Sequence, residues 1–419
     1  MSTHYSSEPT SALLGIAQPL ILLVAGIASA ASGHCQTMTR SVSSAEGMRL
    51  LADLSVFKLQ PPWRDLRCNV EVAKPELGFD FLFHTGYQVE VPIRELAGGA
   101  NELTILFRVI PLDRLNDPSY IMQTVPVPAL EEGKGGGKFY GVFTVGEGRY
   151  HIDWLMRDQR ERACSRSWDL EVKLNSKDSQ LREWIPQALV DLRKPLFAAE
   201  PPMTRGPESP ALRLSIIVNF DPSDPFAALI DDPGLYGLVA ILRRMGRDPR
   251  IEPYSLLICS LENQQVVYER ESQNGIDLPA LGEALRSLKL GTVDAKRLAS
   301  SKGPAQFASD LIRAELRKES TEAMVMLGPK GGSQIPVSRE ALESFDKSGK
   351  PAFYLSYYTG QNLRPTRDPI SSIMKHLRGL EYSINRPKDF FNAWSDIVTR
   401  LVRTKPGLQA STAGTAATK

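Results

Sequence analysis

The stretch from Leu214 to Asp224, LSIIVNFDPSD, constrains the fold of this chain more than any other feature. A largely apolar run, of the kind found in strands covered on both faces, leads directly into a polar loop. Open α/β sheets build ligand sites where strands end in this way. We therefore expect a parallel strand here, followed by a contact loop that carries Asn219, Asp221, Ser223 and Asp224.

The part of the chain beyond Ala198–Pro210 alternates between two kinds of apolar segment. That joint is rich in proline and small residues, which can hold neither a helix nor a central strand. Helical spacing recurs beyond it, as in Gly234–Met245 and Phe390–Val402, and short apolar runs predict strands, as in Ala323–Leu327 and Pro351–Tyr357. The alternation predicts a mostly parallel sheet with helices on both faces and one antiparallel edge strand.

The part before the joint has a period of two. Apolar side chains alternate with polar ones from Phe79 to Phe83, from Leu103 to Val109 and from Tyr150 to Met156. Short alternating strands separated by glycine, proline and asparagine turns predict an antiparallel, immunoglobulin-like β-sandwich. Ser179–Leu192 has a rough helical pattern and leads into the joint.

These patterns predict two domains, an all-β immunoglobulin-like sandwich followed by a three-layer α/β domain. We predict a signal peptide over residues 1–31, a flexible segment over 32–50, the sandwich over 51–177, a helix and proline-rich linker over 178–210, the α/β domain over 211–404 and a disordered tail over 405–419.

The N-terminal segment indicates export. Ala12–Ala31 carries no charge, and Ala28-Ser29-Ala30 has the form that signal peptidase accepts. The chain is therefore expected in the periplasm or outside the cell. An uncleaved membrane anchor is the second interpretation, since the run approaches the roughly 20 residues that a spanning helix needs. Lipid attachment at Cys35 is less favoured, because His34 stands where a lipobox has a small residue.

The other three cysteines divide into a pair and a single thiol. Cys68 and Cys164 lie in the strand-rich half, where an oxidising compartment favours a disulfide between them. Two unpaired, half-buried thiols are the alternative. Cys259 lies within an apolar strand and is predicted to be a buried free thiol.

Charge and motifs exclude several functions. The chain has 50 basic and 48 acidic side chains, a net charge of +2, with no clustered basic run of the kind that nucleic-acid binding requires. The sequence has no nucleophile elbow, no zinc motif, and five scattered histidines. We therefore expect neither a nucleic-acid binder nor an enzyme.

Several longer stretches carry a family resemblance: GEGRYHIDWLMRD with RACSRSW, DLPALGEALRSLKLGTVDA, MVMLGPKG and RPKDFFNAWSDIV. With the order of predicted elements, they resemble exported bacterial proteins related to von Willebrand factor A (VWA) domains, in which a β-sandwich precedes a divergent A-type domain. The resemblance implies that the second domain is VWA-like, with a Rossmann-like three-layer fold.

The resemblance also implies a site for Mg²⁺ or Ca²⁺, built from an Asp-x-Ser-x-Ser loop, a Thr and a further Asp. The matching positions of this chain are Asp221, Ser223 and Thr292, with Asn219 as the first residue of an alternative register. Lys330 stands where the family has its last Asp, and a lysine there repels a cation. We therefore expect a degenerate site and no cofactor. Alternatively, Asp221 and Asp224 cap the following segment, and Gly328–Ser333 is an anion-binding loop.

The sequence thus favours an exported binding, adhesion or scaffolding protein that contacts protein partners in the cell envelope without a metal ion. It would meet the membrane only through its N-terminal segment. The contact candidates are Asn219, Asp221, Ser223, Asp224, Thr292 and Lys330. The alternatives are a hydrolase of envelope polymers, with its site at the same strand ends, and a structural component of the envelope.

Overall fold

A computed structural model describes residues 36–39, 55–57, 65–201, 212–222, 230–272, 275–287, 303–330, 337–345, 349–357 and 368–405. The predicted signal peptide, most of the segment 32–50 and the predicted tail beyond Lys405 lie outside these residues. The described residues form one compact unit.

The N-terminal half of this unit is a β-sandwich of two antiparallel sheets. The larger sheet has, in spatial order, β1 (Gln36–Thr39), β5 (Ser119–Val127), β4 (Asn101–Pro111), β7 (Gly148–Arg157) and β8 (Ala163–Val172). The smaller sheet has β2 (Asn69–Leu77), β3 (Phe83–Pro92), β6 (Gly136–Val145) and β9 (Val190–Leu192). Helix α1 (Ile93–Leu96) and a 3-10 helix (Ser176–Trp184) complete this half.

The period-two pattern gives the sandwich its core. Along β4, the alternating side chains of Leu103, Ile105, Phe107 and Val109 are fully buried. The Tyr87 ring lies 5.0 Å from Phe107 and 5.3 Å from Trp154, measured between ring centroids. The predicted disulfide between Cys68 and Cys164 is confirmed, and it ties β8 to the segment that leads into β2.

A six-stranded sheet follows, in the order β12 (Gln265–Ser272), β11 (Ile251–Ser260), β10 (Leu212–Asn219), β13 (Ala323–Gly328), β14 (Ala352–Tyr357) and β15 (Leu380–Ile384). Its neighbouring strands are parallel except for β12, which runs antiparallel to β11. The helices of this half are α2 (Asp232–Gly246), α3 (Leu278–Ser287), α4 (Gly303–Arg317), α5 (Arg339–Glu343), α6 (Pro369–Leu377) and α7 (Pro387–Thr404).

The two faces of the six-stranded sheet belong to different hydrophobic clusters. Side chains such as Ile216 and Leu355 join a cluster with α2 and α7, while Ile217 and Tyr354 join one with α4 and α6. Helix α2 begins where Asp231 accepts a hydrogen bond from Gly234 N, with a proline in its first turn. The predicted buried free thiol, Cys259, lies in the second cluster.

The predicted fold class, an immunoglobulin-like sandwich followed by a three-layer VWA-like domain, is contradicted. The described residues are mostly β, with 15 strands in three sheets. One continuous hydrophobic cluster also runs from the sandwich into the six-stranded sheet. Aromatic residues make this connection, because Phe79 packs against Tyr357 of β14, and Phe81 packs against Phe390 and Phe391 of α7.

Two local predictions near this junction are also wrong. The period-two pattern assigned Phe79–Phe83 to one strand, but β2 ends at Leu77 and β3 begins at Phe83. Phe81 lies in the connection between them with a positive φ of 61°, which turns its ring towards α7. The predicted helix over Ser179–Leu192 is also wrong, because the 3-10 helix ends at Trp184 and β9 then pairs with β6.

Within the described residues, we find no helix with both the length and the apolar character that crossing a membrane requires. The disulfide is of the kind that forms in oxidising, exported environments.

Candidate functional site

The predicted contact loop is described only in part. Asn219 is the last residue of β10, Asp221 follows two residues later, and Lys330 comes two residues after β13. The structure therefore brings three of the six candidates to the carboxyl edge of neighbouring strands. Ser223, Asp224 and Thr292 lie outside the described residues.

The carboxylate of Asp221 is buried and fully engaged. Its Oδ1 accepts a hydrogen bond from the Ser260 hydroxyl, and its Oδ2 accepts from Leu261 N at 2.9 Å and Glu262 N at 3.0 Å. Burial raises the pKa of Asp221 above its usual range, while these hydrogen bonds act in the opposite direction. Asp221 therefore holds the β11–β12 turn against the end of β10.

Charged side chains at the neighbouring strand ends also have partners within the protein. Lys330 forms an ion pair with Glu381 of β15. Asp368 accepts hydrogen bonds from Tyr354 Oη at 3.0 Å and from Ser371 N at 2.7 Å, and burial raises its pKa. The acids at these strand ends therefore accept hydrogen bonds from protein donors.

The described part of this edge does not fit the implied Mg²⁺ or Ca²⁺ ion. A hard cation needs oxygen atoms that are open to it, but the Asp221 oxygens face O–H and N–H donors. The Lys330 ammonium adds a positive charge at the end of the adjacent strand. Across the described residues, no group of three or more His, Cys, Asp or Glu side chains is arranged to hold a metal ion.

A large cleft lies elsewhere, where the sandwich meets α2. It has a volume of about 1020 Å³ and is bounded by the β2–β3 connection, the end of β9, one face of α2 and the ends of β14 and β15. That volume is at the upper end of the range typical of small-molecule sites. Six of the lining side chains are cationic: Arg193, Lys194, Arg243, Arg244, Arg247 and Arg386.

Helix α2 supplies most of this charge. Tyr236, Ala240, Arg243 and Arg247 follow one another at intervals of three or four residues, so one helix face turns towards the cleft. The arginines stand at the carboxyl end of the helix, where the helix dipole favours positive charge. Burial, followed by the charge of Arg247, lowers the pKa of Arg244, while the charges of Asp80 and Asp248 act in the opposite direction. The side chain stays charged because arginine does not lose its proton in proteins.

The cationic side chains differ in their partners. Glu200 forms ion pairs with both Arg243 and Arg247, and Arg243 Nε lies 2.6 Å from Glu200 Oε1. Arg244 and Arg193 instead lie over aromatic rings. The Arg244 guanidinium is 4.5 Å from the Phe81 ring centroid, and the Arg193 guanidinium is 3.5 Å from that of Tyr236.

Arg193 and Arg244 are consequently the cations best placed to meet an anion. Within the described part of the chain, neither forms an ion pair with a carboxylate, and the buried Nε of Arg193 has no hydrogen-bond partner. Buried polar groups are normally hydrogen-bonded. That Nε atom is covered by protein, so an anion bound in the cleft would meet the terminal nitrogens of Arg193 instead.

An acid and a histidine form one wall of the cleft. His84 Nε2 lies 3.0 Å from each carboxylate oxygen of Asp80. Burial raises the pKa of Asp80, but the hydrogen bond and charge of His84 outweigh it and hold the pKa below its usual range. Gly78 makes room for this pair, because a Cβ there would lie 2.6 Å from both Asp80 Oδ1 and His84 Nε2.

Sequence reasoning missed the cleft. The arginines at 243, 244 and 247 form no long basic run, so the charge pattern alone did not indicate a site there. The available signal was their position at the end of a predicted helix, on the face that also carries Tyr236. The second wall comes from residues about 50 positions earlier, such as Arg193, and only the folded chain brings the two together.

No protein-family model and no curated protein matches the chain. Several solved structures are distantly similar. A structural-genomics target is 12% identical over 27% of this chain and 94% of its own, with a TM-score of 0.19. A Bacteroides uniformis β-glucuronidase is 10% identical over 74% of this chain and 38% of its own, with a TM-score of 0.16. A carbohydrate esterase is 8% identical over 82% of this chain and 98% of its own, with a TM-score of 0.19.

None of these three is described as a VWA protein. The chain spans less than half the length of the β-glucuronidase. Likenesses this distant assign no activity to the chain, and its function has to be argued from the geometry of its own residues.

Proposed function

We propose that the chain is an exported binding protein that holds an anionic ligand in the cleft between the sandwich and α2, without a metal ion. The observation that carries this proposal is the presence of Arg193 and Arg244 in one cleft, each stacked on an aromatic ring and neither paired with a described carboxylate. Guanidinium groups held in this way are pre-organised to bind carboxylate or phosphate oxygens.

The balance of charge in the cleft supports the proposal. Three acids line it, namely Glu76, Asp80 and Asp191, against the six cationic side chains. Asp80 is already engaged by His84. A positive cleft with partly apolar walls attracts anions and strengthens their contacts, because the walls exclude some of the water that would screen them.

The partner is proposed to be a protein of the cell envelope, met after export to the periplasm or the cell exterior. The Cys68–Cys164 disulfide supports export. The cleft replaces the strand edge as the contact surface, because Asp221 and Lys330 at that edge are engaged within the protein. No observation at the edge favours the alternative of a hydrolase, since the Asp221 carboxylate already accepts three hydrogen bonds.

Calorimetric titration tests the proposal. Polyglutamate, polygalacturonate and polyphosphate would each be titrated into the full chain in the presence of EDTA. We expect at least one of them to bind, and Arg244→Gln to weaken that binding about tenfold or more, as for loss of a charged hydrogen bond. Arg94→Gln is the matched control, because Arg94 is exposed and lies outside the cleft. Binding that EDTA abolishes, or that Arg244→Gln leaves unchanged, would overturn the proposal.

A further inference from the structure

We infer that the ligand of the cleft is a short acidic segment of a protein partner, bound through its carboxylates by Arg193 and Arg244. This inference rests on the proposed function, and it narrows the expected ligand of the cleft from anions in general to acidic peptides.

The walls of the cleft combine charge with apolar surface. The lining also includes Leu77, Leu82, Leu192, Leu196 and Pro233. A small, uniformly hydrated anion such as phosphate would leave these side chains without a partner. A peptide that alternates carboxylates with aliphatic side chains would use both kinds of surface, because burial of its apolar groups adds to the ionic contacts.

The aromatic rings of the cleft argue against sugars and bases. Recognition of bases by stacking needs accessible ring faces, and we extend that requirement to sugar rings. Here the Arg193 guanidinium covers one face of Tyr236. Tyr357 is only 2% exposed, and Phe79 meets it in an edge-to-face contact with ring centroids 5.4 Å apart. The rings therefore hold protein groups in place.

The arrangement of the arginines favours planar carboxylates. The forked donors of a guanidinium match a carboxylate in a bidentate pair, and stacking on Tyr236 fixes the plane of that fork for Arg193. Within the protein, Arg243 and Arg247 each contact one oxygen of the Glu200 carboxylate, so two guanidinium groups already share one carboxylate. The ligand would thus repeat a contact that the chain makes with its own side chain.

Matched peptides test the inference. The probe is the acetylated hexapeptide Glu-Leu-Glu-Leu-Glu-Leu, and its control is the same peptide with glutamine in place of glutamate. Both would be titrated into the full chain, alongside hexagalacturonate and inorganic phosphate. Each probe would also be titrated into the Arg193→Gln and Arg244→Gln variants and the Arg94→Gln control, with circular dichroism to confirm that every variant is folded.

We expect the acidic peptide to bind at least about tenfold more tightly than its glutamine analogue, and each cleft variant to remove most of that difference. Tighter binding of hexagalacturonate or phosphate, weakened by the same variants, would overturn the peptide inference and the proposed protein partner, and would leave the proposed anion-binding cleft standing. If neither cleft variant weakens the binding of any probe, the inference and the proposed function are both overturned.

Discussion

The carboxylate of Asp221 and the hydroxyl of Ser260 are joined by a hydrogen bond at the carboxyl edge of the six-stranded sheet. This contact determines whether Asp221 is available to a ligand. The acid that the sequence marks as a cation ligand instead fastens the β11–β12 turn, and it accepts two backbone N–H groups as well.

Metal addition should therefore leave the protein unchanged. We expect the melting temperature to be the same with EDTA, Mg²⁺ or Ca²⁺, because a ligand stabilises a folded protein only in proportion to its binding. Differential scanning fluorimetry at several ion concentrations measures this. A melting temperature that rises with the concentration of either ion would show that a cation site exists.

Removal of the Asp221 side chain should lower stability. Asp221→Ala leaves Glu262 N without its acceptor and Leu261 N with only the longer contact to Asn219 Oδ1 at 3.3 Å, and we expect the free energy of unfolding to fall by about 1–3 kcal/mol. Urea denaturation measures the loss. Asp117→Ala is the control, since Asp117 is half exposed in a surface ion pair, and its loss should change stability by no more than about 0.5 kcal/mol. Equal effects of the two changes would contradict a capping role for Asp221.

The disulfide should contribute strongly to stability. Cys68 and Cys164 are 96 residues apart, so their bond constrains a long stretch of the unfolded chain. We expect the double change Cys68→Ser and Cys164→Ser to lower the free energy of unfolding by about 2–5 kcal/mol. A reductant should destabilise the natural chain and have no further effect on the variant. Equal sensitivity of both proteins to the reductant would contradict this assignment.

Glu262 should make stability depend on pH. Burial, and then the charge of Asp221, raise the pKa of Glu262 from 4.5 to about 7. A raised pKa means that the folded state holds the proton more tightly, so this contribution is complete below pH 4.5 and is lost as the pH rises to about 7. Neighbouring groups shield the carboxyl from water although much of the side chain reaches solvent, and that contact with solvent keeps the effect small. Glu262→Gln should flatten the fall in unfolding free energy between these pH values, and an identical slope in both proteins would contradict the shift.

The sequence predicted the individual elements better than their assembly. Helical spacing over Gly234–Met245 predicted α2, and the predicted antiparallel edge strand is β12. Such elements follow from local periodicity. The contact of Phe81 with α7 was not predictable in this way, because it depends on a positive φ in a connection that the period-two pattern represented as strand.

The strand edge and the cleft differ for the same reason in how far the sequence could predict them. Asn219, Asp221 and Lys330 were found because they follow strands directly in the sequence. Whether Asp221 is open or engaged depends on Ser260, which lies 39 residues further along the chain. The cleft depends on Arg193 meeting Tyr236 across the junction between the sandwich and α2, a distance in sequence that no local pattern spans.

Arginine side-chain NMR tests the central claim most directly, because it reports on the cleft residues themselves. The ¹⁵Nε–Hε signals would be assigned with the Arg193→Gln and Arg244→Gln variants and followed as the acidic hexapeptide is added. We predict that the signals of Arg193 and Arg244 shift with increasing peptide while that of Arg94 does not. Unchanged Arg193 and Arg244 signals at a peptide concentration that saturates binding would contradict the account.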